Sequence, residues 1–503
     1  MNASYDWLRS LVPVTMSPAE LRDLITAHTA TVDELVPLRA DLNDVVIGLV
    51  VEAAPHPDSD HLWVTKVDAG TGELIDVVCG AANVRAGKKY PFAPSGTTLP
   101  GGMKLERRKI RGAVSNGMLC SARELALGDE HEGILELDTP APPGTPFLRA
   151  PLRSLVAGDT RLVIDVGANR ADLHSHLGIA REIAAVSGLE AGLPAIAPGG
   201  APPLPPRSNG SVSTVQRPVQ RPRAPGSHEK HTSGVTGGVA VELRHVVGCH
   251  HYSGVVLRGV SVGPSPRWLV ERLAAVGARS INNVVDVTNY MVHEVGQPMH
   301  AFDLGKLDGP AVIVRAALPG EKLTTLDGVE RALDPSMTVI ADASRAQGVA
   351  GVIGGQESEV SEGTTDVFLE VATFDRASVR RTRRALGLST DASYRFERGT
   401  DWAAAGRWLE RAVELLRSVA GGEVAGEPLH LHAGTLHPAP DVLLRVSRVA
   451  HLLGVEVPRE EVLALLRSVG FAIEERGADH LTVSVPIWRY DIAREVDLIE
   501  EVA

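Results

Sequence analysis

Residues 198–236 set the limits on what this chain can fold into. The segment holds eight prolines, one acidic residue and no Phe, Trp or Tyr. Proline removes backbone donors, and without large apolar side chains nothing can be buried against such a stretch. It reads as a disordered or semi-extended linker, so the ordered parts must be organised on either side of it. At 503 residues the chain is also too long for one core, and about three or four domains is the expectation.

Before the linker, Ser17-Pro18-Ala19-Glu20 is a capping box with proline at the first helical position. Leu21, Leu24 and Ile25 follow at helical spacing. A strand is expected over 161–166 and an amphipathic helix over 172–187, closing at Gly188. These pieces suggest one α+β domain made of 1–43 and 152–197. Between them, over 44–151, short apolar runs at 45–51, 62–67 and 74–78 alternate with Gly, Asn, Asp and Pro clusters. That rhythm predicts a small barrel or sandwich. After the linker, strands at 239–243, 252–256 and 312–315 and a helix at 266–276 predict an α/β domain over 237–436. Helices at 446–453 and 459–469, then strands at 472–475 and 481–485, give a winged-helix-like order over 437–503. The fold class expected is multidomain α+β.

Composition narrows the function. No run of 18 apolar residues and no basic-then-apolar start is present, which argues against a membrane span or secretory signal and for a cytoplasmic protein. Cys79, Cys120 and Cys249 are far apart and form no CxxC, so they read as reduced thiols rather than a zinc site. A net charge of −12 argues against wholesale coating of nucleic acid but permits local basic patches. No Gly-rich phosphate loop, Ser-His-Asp signature or HExxH motif appears, and no ATP site is visible.

Three constellations remain. Residues 282–303 crowd Asn282, Asn283, Asp286, Thr288, Asn289, His293, Gln297 and His300 into one short span. Unpaired buried polar groups cost about 1–3 kcal/mol each, so that density points to a pocket, shared with Gly354, Gly355 and Glu370. The alternative is that His300 and Asn289 merely satisfy loop backbone. Glu370 lies in the apolar strand pattern 367–371 and needs a partner, either a structural Arg or a ligand hydroxyl. Second, Arg380, Arg383 and Arg384 share one helix face beside Arg376, Arg381, Arg395 and Arg398, and Lys104, Arg107, Arg108, Lys109 and Arg111 form another basic cluster. Each is a phosphate contact or a solvated face. Third, Asp497, Glu500 and Glu501 have helical i, i+3, i+4 spacing, with Asp491 nearby. A hard cation such as Mg²⁺ would relieve their repulsion, although spacing alone is better explained by a solvated acidic face.

Taken together these residues resemble the β subunit of bacterial phenylalanine–tRNA ligase. The motifs His56-Pro57-Asp58-Ser59-Asp60-His61-Leu62, Cys79-Gly80-Ala81-Ala82-Asn83, Leu99-Pro100-Gly101-Gly102 and Ser115-Asn116-Gly117-Met118-Leu119-Cys120-Ser121 are similar to that family's tRNA-binding domain, an OB-fold barrel. Asn169-Arg170-Ala171-Asp172 and Leu177-Gly178-Ile179-Ala180-Arg181-Glu182 resemble the segment that completes its N-terminal domain. Asp286-Val287-Thr288-Asn289, Gly296-Gln297-Pro298-Met299-His300-Ala301-Phe302-Asp303, Gly351-Val352-Ile353-Gly354-Gly355 and Thr390-Asp391-Ala392-Ser393 resemble its editing domain.

The resemblance implies hydrolysis of tyrosine wrongly attached to tRNA(Phe), with Thr288, Asn289, His300 and Glu370 as catalytic positions and Arg279, Gly354 and Thr390 as substrate-binding ones. It implies Mg²⁺ on Asp491, Asp497, Glu500 and Glu501, and a catalytic α subunit in an α2β2 tetramer that uses ATP. A free-standing tRNA deacylase and a non-catalytic tRNA-binding scaffold are the other readings. The resemblance departs at His250-His251, where the family has Pro-Arg, and at Tyr490, where Phe is usual. The family also continues beyond the position of Ala503, which suggests a fragment.

Overall fold

The computed structural model describes residues 1–127, 132–150, 158–193, 232–433 and 441–503. These form two compact units, one of 36–161 and one of 1–35 with 162–503. Residues 198–231 of the expected linker lie outside the described residues. Its last five are not linker: Thr232–Thr236 is a strand, paired antiparallel with Val239–Leu243.

In the 36–161 unit, five antiparallel strands lie in the order Leu74–Cys79, Trp63–Asp68, Val46–Pro55, Lys89–Pro94, Gly117–Leu119. Alternation puts Val50, Val67, Val77, Tyr90 and Phe92 inside one core. The motif residues pin loops to this sheet. Asn83 both donates to the Ile134 carbonyl, at 2.7 Å, and accepts from the Ile134 N–H, at 3.0 Å. Ser115 Oγ accepts from the Val78 N–H at 3.0 Å. Gly117 has φ +139° and touches Phe92, so a side chain there has no room.

The other unit opens with the capped helix Pro18–His28, its Ser17–Glu20 box formed in both directions. The helix His176–Ser187 ends on Gly188 in the left-handed conformation, which glycine adopts without a Cβ penalty. Two sheets follow. One has the order Thr232–Thr236, Val239–Leu243, Ala311–Ala316, Thr338–Ala341, Ala346–Val349, Ile353–Gly354; the other has Met299–Asp303, Asp366–Phe374, Cys249–Val260, Gly421–His432. The two middle strands of the second sheet, Asp366–Phe374 and Cys249–Val260, are buried on both faces. Tyr252, Val256, Phe302, Phe368 and Phe374 join a core with the first sheet, while Val255, Leu257, Leu369 and Val371 join one with the helices Asn283–Val295 and Ala405–Ala420. Burial on both faces explains why these strands read as continuous apolar runs.

One ion pair locks those two helices together. Arg411 forks onto the buried Glu294 carboxylate, which also accepts from Tyr290 Oη at 2.9 Å. On the same central strand, His251 takes the place expected for arginine. It is buried, stacks on His432 with ring centroids 4.6 Å apart, and hydrogen-bonds Ser253 Oγ at 2.9 Å.

Residues 441–503 carry strand Asp441–Arg445, helices Val446–Leu453 and Arg459–Ser468, a hairpin of Ala472–Glu475 with His480–Ser484, and a last helix Glu495–Glu500. Their own small core includes Leu444, Val449, Leu463, Leu481 and Leu498.

Candidate active site

Most of the polar residues in 282–303 build a scaffold rather than a pocket. Asn282 caps the helix Asn283–Val295 through the N–H groups of Val284 and Val285. Buried Asn283 ties three backbone groups, at Ser261, Gly263 and Val419. Buried Asp286 accepts from the hydroxyls of Ser265 and Ser280 and from the Ile281 N–H at 2.8 Å. Gln297 donates to the carbonyls of Pro298 and Ala372, both at 3.0 Å. Each carries backbone groups that would otherwise be orphaned where loop meets core.

His300, by contrast, faces a cavity. It lies on the edge strand Met299–Asp303, directly opposite Glu370 on Asp366–Phe374. Side chains so paired share one face, with Cβ atoms about 5 Å apart. The cavity is about 80 Å³, and its wall includes His300, Phe302, Val349, Val352, Gly354, Glu370, Phe374, Ala392 and Phe396. Gly354 is pressed against the imidazole: a Cβ there would stand 2.6 Å from His300 Cε1. The ring meets Phe302 edge-on at 4.4 Å, and buried Nε2 has no hydrogen-bond partner among the described residues. Burial pushes the His300 imidazole down to about 4, so it is neutral at physiological pH.

Glu370 is 7% exposed. Burial pushes its carboxyl up to about 7, opposed by one hydrogen bond from Tyr252 Oη at 2.7 Å. The partner expected from sequence was an arginine or a ligand hydroxyl; it is a phenol of the chain itself. Nothing local signals this, because Tyr252 lies 118 residues away. The apolar wall residues Val349, Val352, Phe374, Ala392 and Phe396 were also missed, since their apolar character reads as ordinary core. The site thus joins a neutral imidazole, a carboxylate poised between its two forms, and glycine backbone.

The other expected site residues lie outside the cavity wall. Thr288 Oγ1 donates back to the Val285 carbonyl at 2.7 Å. Asn289 is half-buried on the same helix, and Arg279 is exposed. Thr390 caps the helix Asp391–Phe396 and donates to the Val352 carbonyl at 2.7 Å, so it braces the wall from behind. Gly355 N–H bonds the Gln347 carbonyl at 2.8 Å and likewise lies outside the wall.

The basic clusters divide. Arg383 forks onto Glu397 at 2.5 and 3.1 Å, joined there by Arg398 and, more loosely, Arg380. Arg376 lies over the Tyr490 ring and Arg395 is buried against Asp391. Arg383, Arg395 and Arg398 are structural cations, whereas Arg376, Arg380, Arg381 and Arg384 are exposed. In the 36–161 unit, Lys104, Arg107, Arg108 and Lys109 are all exposed around the hairpin of Arg108–Ile110 and Ala113–Ser115.

The four acidic residues do not fit a magnesium site in this arrangement. Buried Arg489 forks onto Asp491 at 2.9 and 2.7 Å and onto Glu501, so an internal cation already neutralises both. Asp497 accepts from the N–H groups of Ala493 and Arg494, at 3.0 and 2.8 Å, and acts as a helix cap. Glu500 is exposed. Among the described residues no three His, Cys, Asp or Glu side chains are placed to hold a metal ion.

Three family models match parts of the chain. Residues 45–146 match the tRNA binding domain family, 248–421 the B3/4 domain, and 442–503 the tRNA synthetase B5 domain. The phenylalanine–tRNA ligase β subunit of Moorella thermoacetica is 42% identical over 100% of this chain and 58% of its own length. That of Anaeromyxobacter dehalogenans is also 42% identical, with the same coverage. Over its whole length the chain is similar to phenylalanine–tRNA ligase β subunits. It spans 58% of the length of these relatives. An N-terminal fragment of the phenylalanyl-tRNA synthetase β subunit from Pyrococcus horikoshii aligns at 15% identity over 68% of this chain and 86% of that one, with a TM-score of 0.33, a likeness too loose to fix a shared fold. Among the described residues no helix is long and apolar enough to cross a membrane.

Proposed function

We propose that this chain binds tRNA(Phe) and hydrolyses tyrosine wrongly esterified to it, as the β-subunit part of a phenylalanine–tRNA ligase. The observation that carries the reading is the pairing of His300 with Glu370 at a cavity, one neutral with an unpartnered nitrogen, the other a carboxyl held near 7. An apolar synthetic pocket rejects an added hydroxyl poorly, so a second sieve is useful. Glu370 accepts the tyrosine phenol; a phenylalanine ring leaves that acceptor unpaired, and this asymmetry is the discrimination. His300 Nε2 hydrogen-bonds the ester or the attacking water. Thr390 braces the wall through the Val352 carbonyl, while Thr288, Asn289 and Arg279 stand outside it. Lys104, Arg107, Arg108, Lys109 and Arg384 meet the phosphate backbone.

In the assembled ligase an α subunit supplies amino-acid activation with ATP and Mg²⁺, the two subunits forming an α2β2 tetramer in the cytoplasm. The proofreading role is tested by incubating the protein with tyrosyl-tRNA(Phe) and following ester loss. Glu370→Ala is expected to slow hydrolysis at least tenfold, the worth of one hydrogen bond to a charged group. Equal rates for parent and variant overturn the reading.

A further inference from the structure

We propose that Tyr252 is a positioning residue for this site: its phenol holds one oxygen of Glu370 so that the other is presented to the phenol of the substrate. The proposal rests on the proofreading reading above. Tyr252 is fully buried on the central strand Cys249–Val260, and its hydroxyl donates to Glu370 Oε2 at 2.7 Å. Gly254 is the residue directly opposite Glu370, and Tyr252, two positions along, projects from the same face. A Cβ at Gly254 would stand 2.1 Å from Phe368 Cζ. The place opposite the carboxylate therefore carries no side chain, and the phenol reaches Glu370 from the next position on that face.

Among the described residues the carboxylate accepts this one hydrogen bond. The titratable groups around it are Tyr252 and Cys249 on the central strand and His300 on the edge strand. The rest of the cavity wall is uncharged. Among the described residues no cation orients Glu370. A carboxylate has two oxygens and about four lone-pair sites, so a second phenol can bind without displacing the first. Burial drives the group towards its neutral form, and the Tyr252 hydroxyl opposes that drive. Without the hydroxyl, Glu370 is harder to ionise and free to turn.

The test is Tyr252→Phe in the full chain, with tyrosyl- and phenylalanyl-tRNA(Phe) as substrates. The expected result is a fall of about tenfold in kcat/KM for the tyrosyl ester at neutral pH, with phenylalanyl hydrolysis unchanged. The pH midpoint of tyrosyl hydrolysis moves upward. Carbon-13 NMR of labelled glutamate carboxyls reads the Glu370 midpoint without turnover; it too rises in Tyr252→Phe. Hydrolysis by the parent, with unchanged selectivity and an unchanged Glu370 midpoint in the variant, overturns this proposal alone. A parent that hydrolyses neither ester overturns the proofreading reading and this proposal with it.

Discussion

Glu370→Gln should make the protein more stable in a way that grows with pH. In the folded chain the Glu370 carboxyl stands at about 7 against an ordinary 4.5, because burial disfavours the charge. A raised carboxyl favours folding in its protonated form. That contribution is complete below about pH 4.5 and is lost as pH climbs through about 7. The displacement is worth about 3 kcal/mol. Glutamine has no proton to lose, so the variant escapes the loss. The stability of Glu370→Gln relative to the parent should therefore rise by about 3 kcal/mol between pH 4.5 and pH 8, on top of a constant offset from the changed bond to Tyr252. All other groups titrate alike in both proteins, so the difference isolates this position. Urea unfolding at a series of pH values, followed by tryptophan fluorescence, measures it. Hydrogen exchange at the amides of Asp366–Phe374 gives a local check. Two stability curves that run parallel across this range refute the reasoning. Tyrosyl-tRNA hydrolysis should be lost in the same variant, since discrimination uses the charge that destabilises the strand.

Four further outcomes are expected. Gly354→Ala forces His300 off its position, because the new methyl would lie 2.6 Å from Cε1 and 3.0 Å from Leu326 Cδ1; overpacking of this kind costs about 1–3 kcal/mol, and deacylation kinetics should show a marked fall while tRNA binding stays intact. Arg411→Met leaves the Glu294 carboxylate buried without its cation and should destabilise by about 3–5 kcal/mol, most of it recovered in Arg411→Met/Glu294→Leu; urea unfolding of the three proteins decides this. Lys104→Ala/Arg108→Ala should weaken tRNA binding and flatten its dependence on log salt by about two counterions, whereas Arg383→Ala, already paired with Glu397, should leave that slope alone. Millimolar magnesium should leave the unfolding midpoint of the 441–503 region unchanged, because Arg489 already neutralises Asp491 and Glu501; a rise on adding the ion counts against that arrangement.

Much of the fold was legible because its signals are local. The capping box at Ser17, the glycine stop at Gly188 and the strand Val239–Leu243 depend on neighbours in sequence, and each appears where expected. The strand carrying Glu370 was legible from its apolar run, and so was the need for a partner. The partner's identity was not, since cross-strand pairing brings Tyr252 in from far along the chain. The same limit misled the charge readings. Arg383 on its helix and Glu397 beyond the next one look free in sequence, yet form an ion pair. Asp491 and Glu501 look like mutual repellers until Arg489 is seen between them. In 282–303 density of polar groups signalled importance without distinguishing a wall from its buttress: Asn283 and Asp286 hold backbone, and His300 faces open space.

The way the Cys249–Val260 strand is shared between two cores bears on how a substrate enters. A cavity of about 80 Å³ is roughly half the size of one known to admit a benzene ring. The floor cannot give way, because moving Glu370 or Tyr252 would disturb both layers at once. What can yield is the opposite rim, where Ile353–Gly354 is a two-residue edge strand held by its pairing with Gly348 and Val349 and by one hydrogen bond from the Leu326 N–H to the Gly354 carbonyl, at 3.0 Å. The molecule is thus stiff under the carboxylate that reads the ring and compliant above it. If the site proofreads as proposed, an aromatic guest makes its own room by lifting the glycine rim, and its phenol is then measured against a fixed point.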